Sequence, residues 1–170
     1  MSGPNQASAA QGAADFFLHV QTKRAGKLKG EATAPDHEGD ILLIGWSWGL
    51  VSGAAVGDVQ ATARRSYSAL SVTKYIDSAS TALMSALATN DEVKEAKLCL
   101  RKAGGGQNDY FTVTLQGARI TSLQHSADAQ GMTHEVVTLS FTDIEVQYTP
   151  QKSTGQRSGA TTFKDSLPKM

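Results

Sequence analysis

The chain has 170 residues, a normal length for one domain with its own core. Its 16 Lys and Arg cancel its 16 Asp and Glu. A net charge of zero removes the electrostatic drive toward nucleic acid or an anionic membrane, and leaves copies of the chain little reason to repel one another.

Residues 1–14 are mostly Ala, Gln, Ser and Gly and read as a flexible leader. They lack a charged region followed by an apolar core, so they do not make a secretory signal peptide. No apolar run in the chain is long enough to span a membrane. The expectation is folding in the cytoplasm, with any export by a route that accepts folded proteins.

From residue 15 the apolar period is mostly two, which predicts strands. In "DFFLHVQ", Phe16, Leu18 and Val20 share a face opposite His19 and Gln21. "DHEGD" at 36–40 gathers three carboxylates around His37, as a weak cation site or a solvated loop. "ILLIGWSWGLVSG" at 41–53 then sets Trp46, Trp48 and Leu50 on one face and Gly45, Ser47 and Gly49 on the other. Burying one large apolar side chain stabilises by roughly 1.5–3 kcal/mol, so the two indoles are expected in the core. Leu18, Leu98, Val113 and Leu139 are their expected neighbours. The bare face either admits a closely packed strand or helix, or looks onto open space.

Residues 53–66, "GAAVGDVQATARRS", show no period and read as a surface arm that touches a partner. Its contact residues are Ala54, Ala55, Val56, Asp58, Val59, Gln60, Arg64 and Arg65. The arginine pair suits a salt bridge to a partner subunit better than phosphate binding.

"YSALSVTKYI", "AKLCLRK" and "YFTVTLQG" are further strands. Between the first two, "DSASTALMSALATND" places Leu83, Ala86 and Leu87 at helical spacing, with Ser78 or Ser80 as N-cap. Cys99 is a half-buried strand residue in this reading; a catalytic thiol would need a histidine and an electropositive pocket beside it. "AGGGQND" at 103–109 leads into a strand and so is a hairpin turn rather than a phosphate loop. The alternation changes phase at Gly117, and again between Phe141 and Ile144. Each slip predicts a bulge or bend of the kind that closes a barrel or wraps a sandwich. The polar tail 151–170 is expected to be mobile, with Phe163 and Leu167 as its anchors.

His19, His37, His125 and His134 have no ligand-like spacing, and no serine sits in a nucleophile elbow. No catalytic, metal or cofactor site is expected. The lone Cys99 forms no disulfide within the chain.

"KGEAT" (29–33), "DHEGDI" (36–41), "WSWG" (46–49), "VTKYID" (72–77), "LRKAGG" (100–105), "DYFTVTL" (109–115), "EVVTLSF" (135–141) and "VQYTPQ" (146–151) together resemble the Hcp family of type VI secretion systems. The resemblance implies a small antiparallel β-barrel or two-sheet sandwich over residues 15–150, with one short helix. It implies hexameric rings stacked into an inner tube, with a VgrG-type spike, a contractile sheath and a baseplate as partners. Effectors travel in the lumen, no reaction is catalysed, and the tube leaves the cell without a signal peptide. By the same resemblance the face carrying Gly45, Ser47 and Gly49 lines the channel. The alternative is a monomeric β-barrel holding a small apolar ligand, which would need an internal cavity.

Overall fold

Alternating apolar residues do become strands, and distant segments pair to make two barrel sheets, beside a separate two-stranded ribbon. The structure, a computed structural model, describes residues 14–53, 56–57, 64–102, 108–150 and 159–167. In chain order the elements are β1 (Ala14–Thr22), β2 (Gly26–Lys27), β3 (Ile41–Leu43), β4 (Gly45–Ser47), β5 (Leu50–Ser52), β6 (Arg65–Tyr67), β7 (Leu70–Tyr75), α1 (Ser80–Ala88), β8 (Val93–Lys102), β9 (Asp109–Ala127), β10 (Thr133–Ser140), β11 (Asp143–Tyr148) and β12 (Thr161–Ser166). All strand pairings are antiparallel.

One sheet runs β3–β1–β8–β9–β11–β12, with β2 also on β1. The other runs β9–β10–β7–β4. Two segments belong to both. β9 gives its first half to β8 and β11 and its second half to β10, turning at Gly117, whose φ is +56°. The predicted phase slip is this turn. Residues 41–47 cross in one step: β3 lies on β1, the Ile44 amide donates to the Thr73 carbonyl at 2.8 Å, and β4 lies on β7. Together these crossings close the sandwich into a barrel, which leaves fewer open edges.

The core lies between the sheets. Leu18, Val20, Ile41, Leu70, Val72, Val93, Leu98, Val113, Leu115, Val137 and Leu139 are sealed from solvent. All but Ile41 and Val93 are inward positions that the alternation picks out. α1 closes one side with Leu83 and Ala86 buried. Its N-cap position is Ala79, not Ser78 or Ser80. The turn before it is fixed by Asp77, whose carboxylate accepts the Ala79 amide at 2.9 Å and whose own amide donates to the Ser80 hydroxyl at 3.0 Å.

Three expectations change here. The arm is rooted in a hairpin: β5 pairs β6 residue for residue, and the Gly53 amide donates to the Arg64 carbonyl at 2.7 Å. The tail is not mobile throughout, because Thr161–Ser166 pairs β11 along its length and Leu167 packs against the core. The second phase slip divides two strands, β10 and β11, rather than bending one. Ala54, Ala55, Asp58, Val59, Gln60 and the 103–107 turn lie outside the described residues.

Candidate functional site

The register places Ser47 opposite Ser71, Ser71 opposite Thr138, and Thr138 opposite Ser122. Four hydroxyl side chains thus form one row across four strands, on the outward face of the second sheet. The next row is Gly45, Thr73, Val136 and Gln124. Neither row carries a charge. The other sheet differs: its row His19, Lys97, Thr114, Glu145 and Lys164 is strongly polar. Alternation along the strands, with apolar residues inward, leaves each sheet an outward face of distinct chemistry.

Ser47 is exposed. A Cβ added at Gly45 would meet only the Thr73 Cβ at 3.9 Å, and one at Gly49 only the Ser68 Oγ at 3.5 Å. These are ordinary contacts, so close packing within the chain does not require glycine at either position. Among the described residues, neither another strand nor α1 fills the bare face.

Trp46 and Trp48 are half-buried and pack against the rim of the core. Trp46 stacks on Phe111 with ring centres 6.2 Å apart, and Trp48 stacks on Tyr67 at 6.0 Å. Leu50, expected beside them, has left the barrel on β5 and is 43% exposed. The indoles sit at the rim because 41–47 crosses between sheets at the barrel's end.

The hairpin base is tied to the last strand. Arg65 Nε and Nη2 donate to the two oxygens of Asp165, the latter at 2.8 Å, and Nη2 also donates to the Ser166 carbonyl at 3.1 Å. The Tyr67 hydroxyl donates to Asp165 Oδ2 at 2.7 Å. Hydrogen bonds from Arg65 and Tyr67 hold the Asp165 carboxyl below its usual range, and burial followed by the Asp165 bond pushes the Tyr67 phenol up. Arg65 thus has an acid within its own chain, whereas the sequence alone points to one on a partner subunit. Arg64 and Val56 are exposed.

A second polar cluster sits under the 28–40 loop. The solvated reading of "DHEGD" fails at two positions, since His37 and Asp40 are each only 5% exposed. The His37 ring lies flat on Phe17, centres 4.2 Å apart, with Nδ1 2.9 Å from Asp40 and Nε2 2.9 Å from Asp109. His19 and Lys27 also reach Asp40, at 3.2 and 3.1 Å. Arg101 donates to Asp109 at 3.2 Å and to the Pro35 carbonyl at 2.9 Å. Cys99 is buried beside them, and burial followed by the Asp109 charge pushes its thiol up to about 12. Folding thus supplies the histidine that a reactive cysteine needs, but not the electropositive pocket. Ligand atoms of His37, Cys99 and Asp109 lie within 4.8 Å of one another. Arg101 already engages Asp109 Oδ1, and His37 Nε2 lies 2.9 Å from both Asp109 oxygens, so the acid is partnered within the chain. Sequence spacing could not reveal it, because its members come from segments far apart in the chain.

The comparisons with known proteins fit this geometry. The family model "Type VI secretion system effector, Hcp" matches residues 17–148. The chain belongs to the Hcp family. It is 32% identical over 151 residues to Protein hcp1 of Pseudomonas aeruginosa, a match that covers 86% of this chain and 90% of that relative. A solved type six secretion system protein superimposes with a TM-score of 0.82 at 23% identity, over 91% of this chain and 96% of the other. Hcp1 from Salmonella typhimurium gives 0.70 at 25% identity, over 91% and 95%. As an Hcp protein the chain is a tube subunit of the type VI secretion system, of a family that self-assembles into rings and tubes and is secreted by that system. Among the described residues no helix is long and apolar enough to cross a membrane.

Proposed function

We propose that six copies of this chain close a ring with Gly45, Ser47 and Gly49 turned toward its channel, and that rings stack through the 50–67 hairpin. The tube is assembled in the cytoplasm on a baseplate, capped by a VgrG-type spike and expelled by a contractile sheath. Effectors travel in its lumen, and the protein's task is structural rather than catalytic. The observation that carries the lumen assignment is the uncharged row Ser47–Ser71–Thr138–Ser122. Hydroxyls both donate and accept, so such a wall offers weak, adaptable contacts to many cargo surfaces and clamps none.

The hairpin suits the stacking role because its stem stands apart from the barrel sheets, with Val51 61% exposed and Val56 fully so. Ala54, Ala55, Val56, Asp58, Val59, Gln60, Arg64 and Arg65 remain the proposed contact segment, Arg65 through its position in the stem. Against a ligand-binding barrel stands the continuous apolar core between the sheets, whose side chains pack on one another. A concavity of about 420 Å³ lies instead on the outside, lined by polar residues such as Thr114, Gln116, Glu145 and Lys164.

The test is thiol accessibility in assembled particles. Ser47→Cys supplies a reporter at the row, and the native Cys99 is buried with a thiol held protonated. In rings and tubes, a small maleimide is expected to label Ser47→Cys, whereas a maleimide carried on a large protein is excluded. Equal labelling by both reagents would place this face on the outside.

A further inference from the structure

The hairpin stem has three residues on each side, β5 and β6, and among the described residues it pairs with no other strand. An isolated two-stranded ribbon is marginal in water. Something else must hold it at a fixed angle to the barrel. Among the described residues, the side-chain bonds of Arg65 and Tyr67 converge on β12: three reach the carboxylate of Asp165 and one reaches the Ser166 carbonyl. Asp165 sits on β12, which is itself an exposed edge strand joined to the body through β11. Its carboxylate takes a two-point contact from Arg65 and a third bond from Tyr67, whose ring is wedged between Trp48 and Phe141. A two-point arginine–carboxylate contact fixes direction as well as distance.

We propose that Asp165 is the positioning residue of the stacking arm: the C-terminal strand works as a clamp that sets the angle of the 50–67 hairpin and so controls whether one ring can engage the next. This rests on the stacking role proposed above for the hairpin. The clamp joins segments 100 residues apart. The end of the chain must therefore be in place on β11 before the arm is set. Rings in which β12 has not docked would close but not stack.

The Gly53 and Ser68 amides report on the stem directly, since they donate to Arg64 and Gly49 across its two ends. Hydrogen exchange on the assembled full-length chain is the measurement. In Asp165→Ala both amides are expected to exchange about tenfold faster, while the Leu98 and Val113 amides of the barrel keep their rates. Rings still form, and tubes do not. Exchanging the charges, Arg65→Asp with Asp165→Arg, restores protection and stacking. Unchanged exchange at Gly53 and Ser68 in Asp165→Ala overturns the clamp. Faster exchange with normal tubes supports the clamp and instead removes the stacking role from the hairpin. If Asp165→Ala fails to fold, Tyr67→Phe keeps the ring packing and removes one bond. A smaller rise at the same two amides is then expected, and no rise overturns the proposal.

Discussion

Lys74 and Glu135 stand opposite each other on β7 and β10, both fully sealed from solvent, with Nζ and Oε1 2.7 Å apart. Lys74 occupies the inward parity of Leu70 and Val72, where an apolar residue is the rule. It is tolerated because all its donors are used: Glu135, the Ser80 hydroxyl at 3.0 Å and Asp77 at 2.8 Å. The pair therefore ties α1 to the second sheet. Removing one partner leaves a buried charge uncompensated, which costs about 3–5 kcal/mol. Lys74→Met and Glu135→Leu singly are expected to lose that much in denaturant unfolding at matched protein concentration. The double variant should recover most of it, since paired apolar replacement of a buried ion pair is often neutral. Additive losses would show that the two side chains act separately.

Glu135 also makes stability depend on pH. Burial alone would raise its pKa, but hydrogen bonds from Lys74 and from His125, whose Nε2 lies 2.6 Å away, outweigh burial and leave it below the ordinary value. A carboxyl depressed in the folded state contributes stability that is fully present above its unfolded pKa and lost as pH falls through the folded one. The protein is expected to weaken on acidification below the normal carboxylate range. Glu135→Gln should flatten that part of the curve while lowering stability at neutral pH. An unchanged acid limb in Glu135→Gln would assign the loss to other carboxylates.

Gly117 is the hinge of the longest strand. Its φ of +56° lies in the left-handed region, and an added Cβ would strike the Thr142 hydroxyl. The Thr142 amide donates to the Gln116 carbonyl and its hydroxyl donates to Asp143 Oδ2 at 2.8 Å, so this loop cannot easily retreat. Gly117→Ala is expected to cost about 1–3 kcal/mol. Gly117→Ala with Thr142→Ala should regain only the steric share, because the backbone strain remains. Thermal unfolding of the three variants separates the two contributions.

Much of the architecture was legible because alternation is a local property. Leu18, Val20, Leu98, Val113, Leu115, Val137 and Leu139 read inward from their own strands and are inward. Gly117 announced its bend by a change of phase. What stayed hidden depends on partners remote in sequence. Lys74 falls on the inward parity of Leu70 and Val72, and nothing local shows that Glu135 and Ser80 meet it there. His37 belonged to an acidic loop until Phe17, Asp109 and Arg101 closed around it. The tail looked featureless because β12 is exposed on nearly every position, held by backbone pairing to β11 rather than by an apolar pattern. Ser47 was singled out early, but the row it completes needs the register of four strands.

Cys99 is expected to be inert in the folded protein. Moving a thiol from 9.0 to about 12 lowers the thiolate fraction near neutral pH by about a thousandfold. Burial against Phe17 and Ala32 also blocks the reagent. A disulfide-exchange reagent should find no thiol at pH 8 until denaturant is added, and then one per chain. Rapid reaction of the native protein would mean that the 28–40 loop opens readily over β1 and β8.

Ser47→Glu tests the wall itself. The side chain is exposed and the neighbouring Gly45 and Gly49 leave room around it, so the protomer is expected to change in stability by no more than about 0.5 kcal/mol. If Ser47 faces the channel as proposed, the substitution places six carboxylates around one circumference of a six-fold ring. Charge at that density alters which cargo surfaces can be accommodated far more than it alters folding. Native mass measurement is therefore expected to show rings of unchanged size, while effectors that co-purify with the wild-type tube are lost or exchanged for more basic ones. Retention of the same effectors in the same amounts would show that cargo does not touch this row, and the hydroxyl face would then have to be placed elsewhere in the assembly.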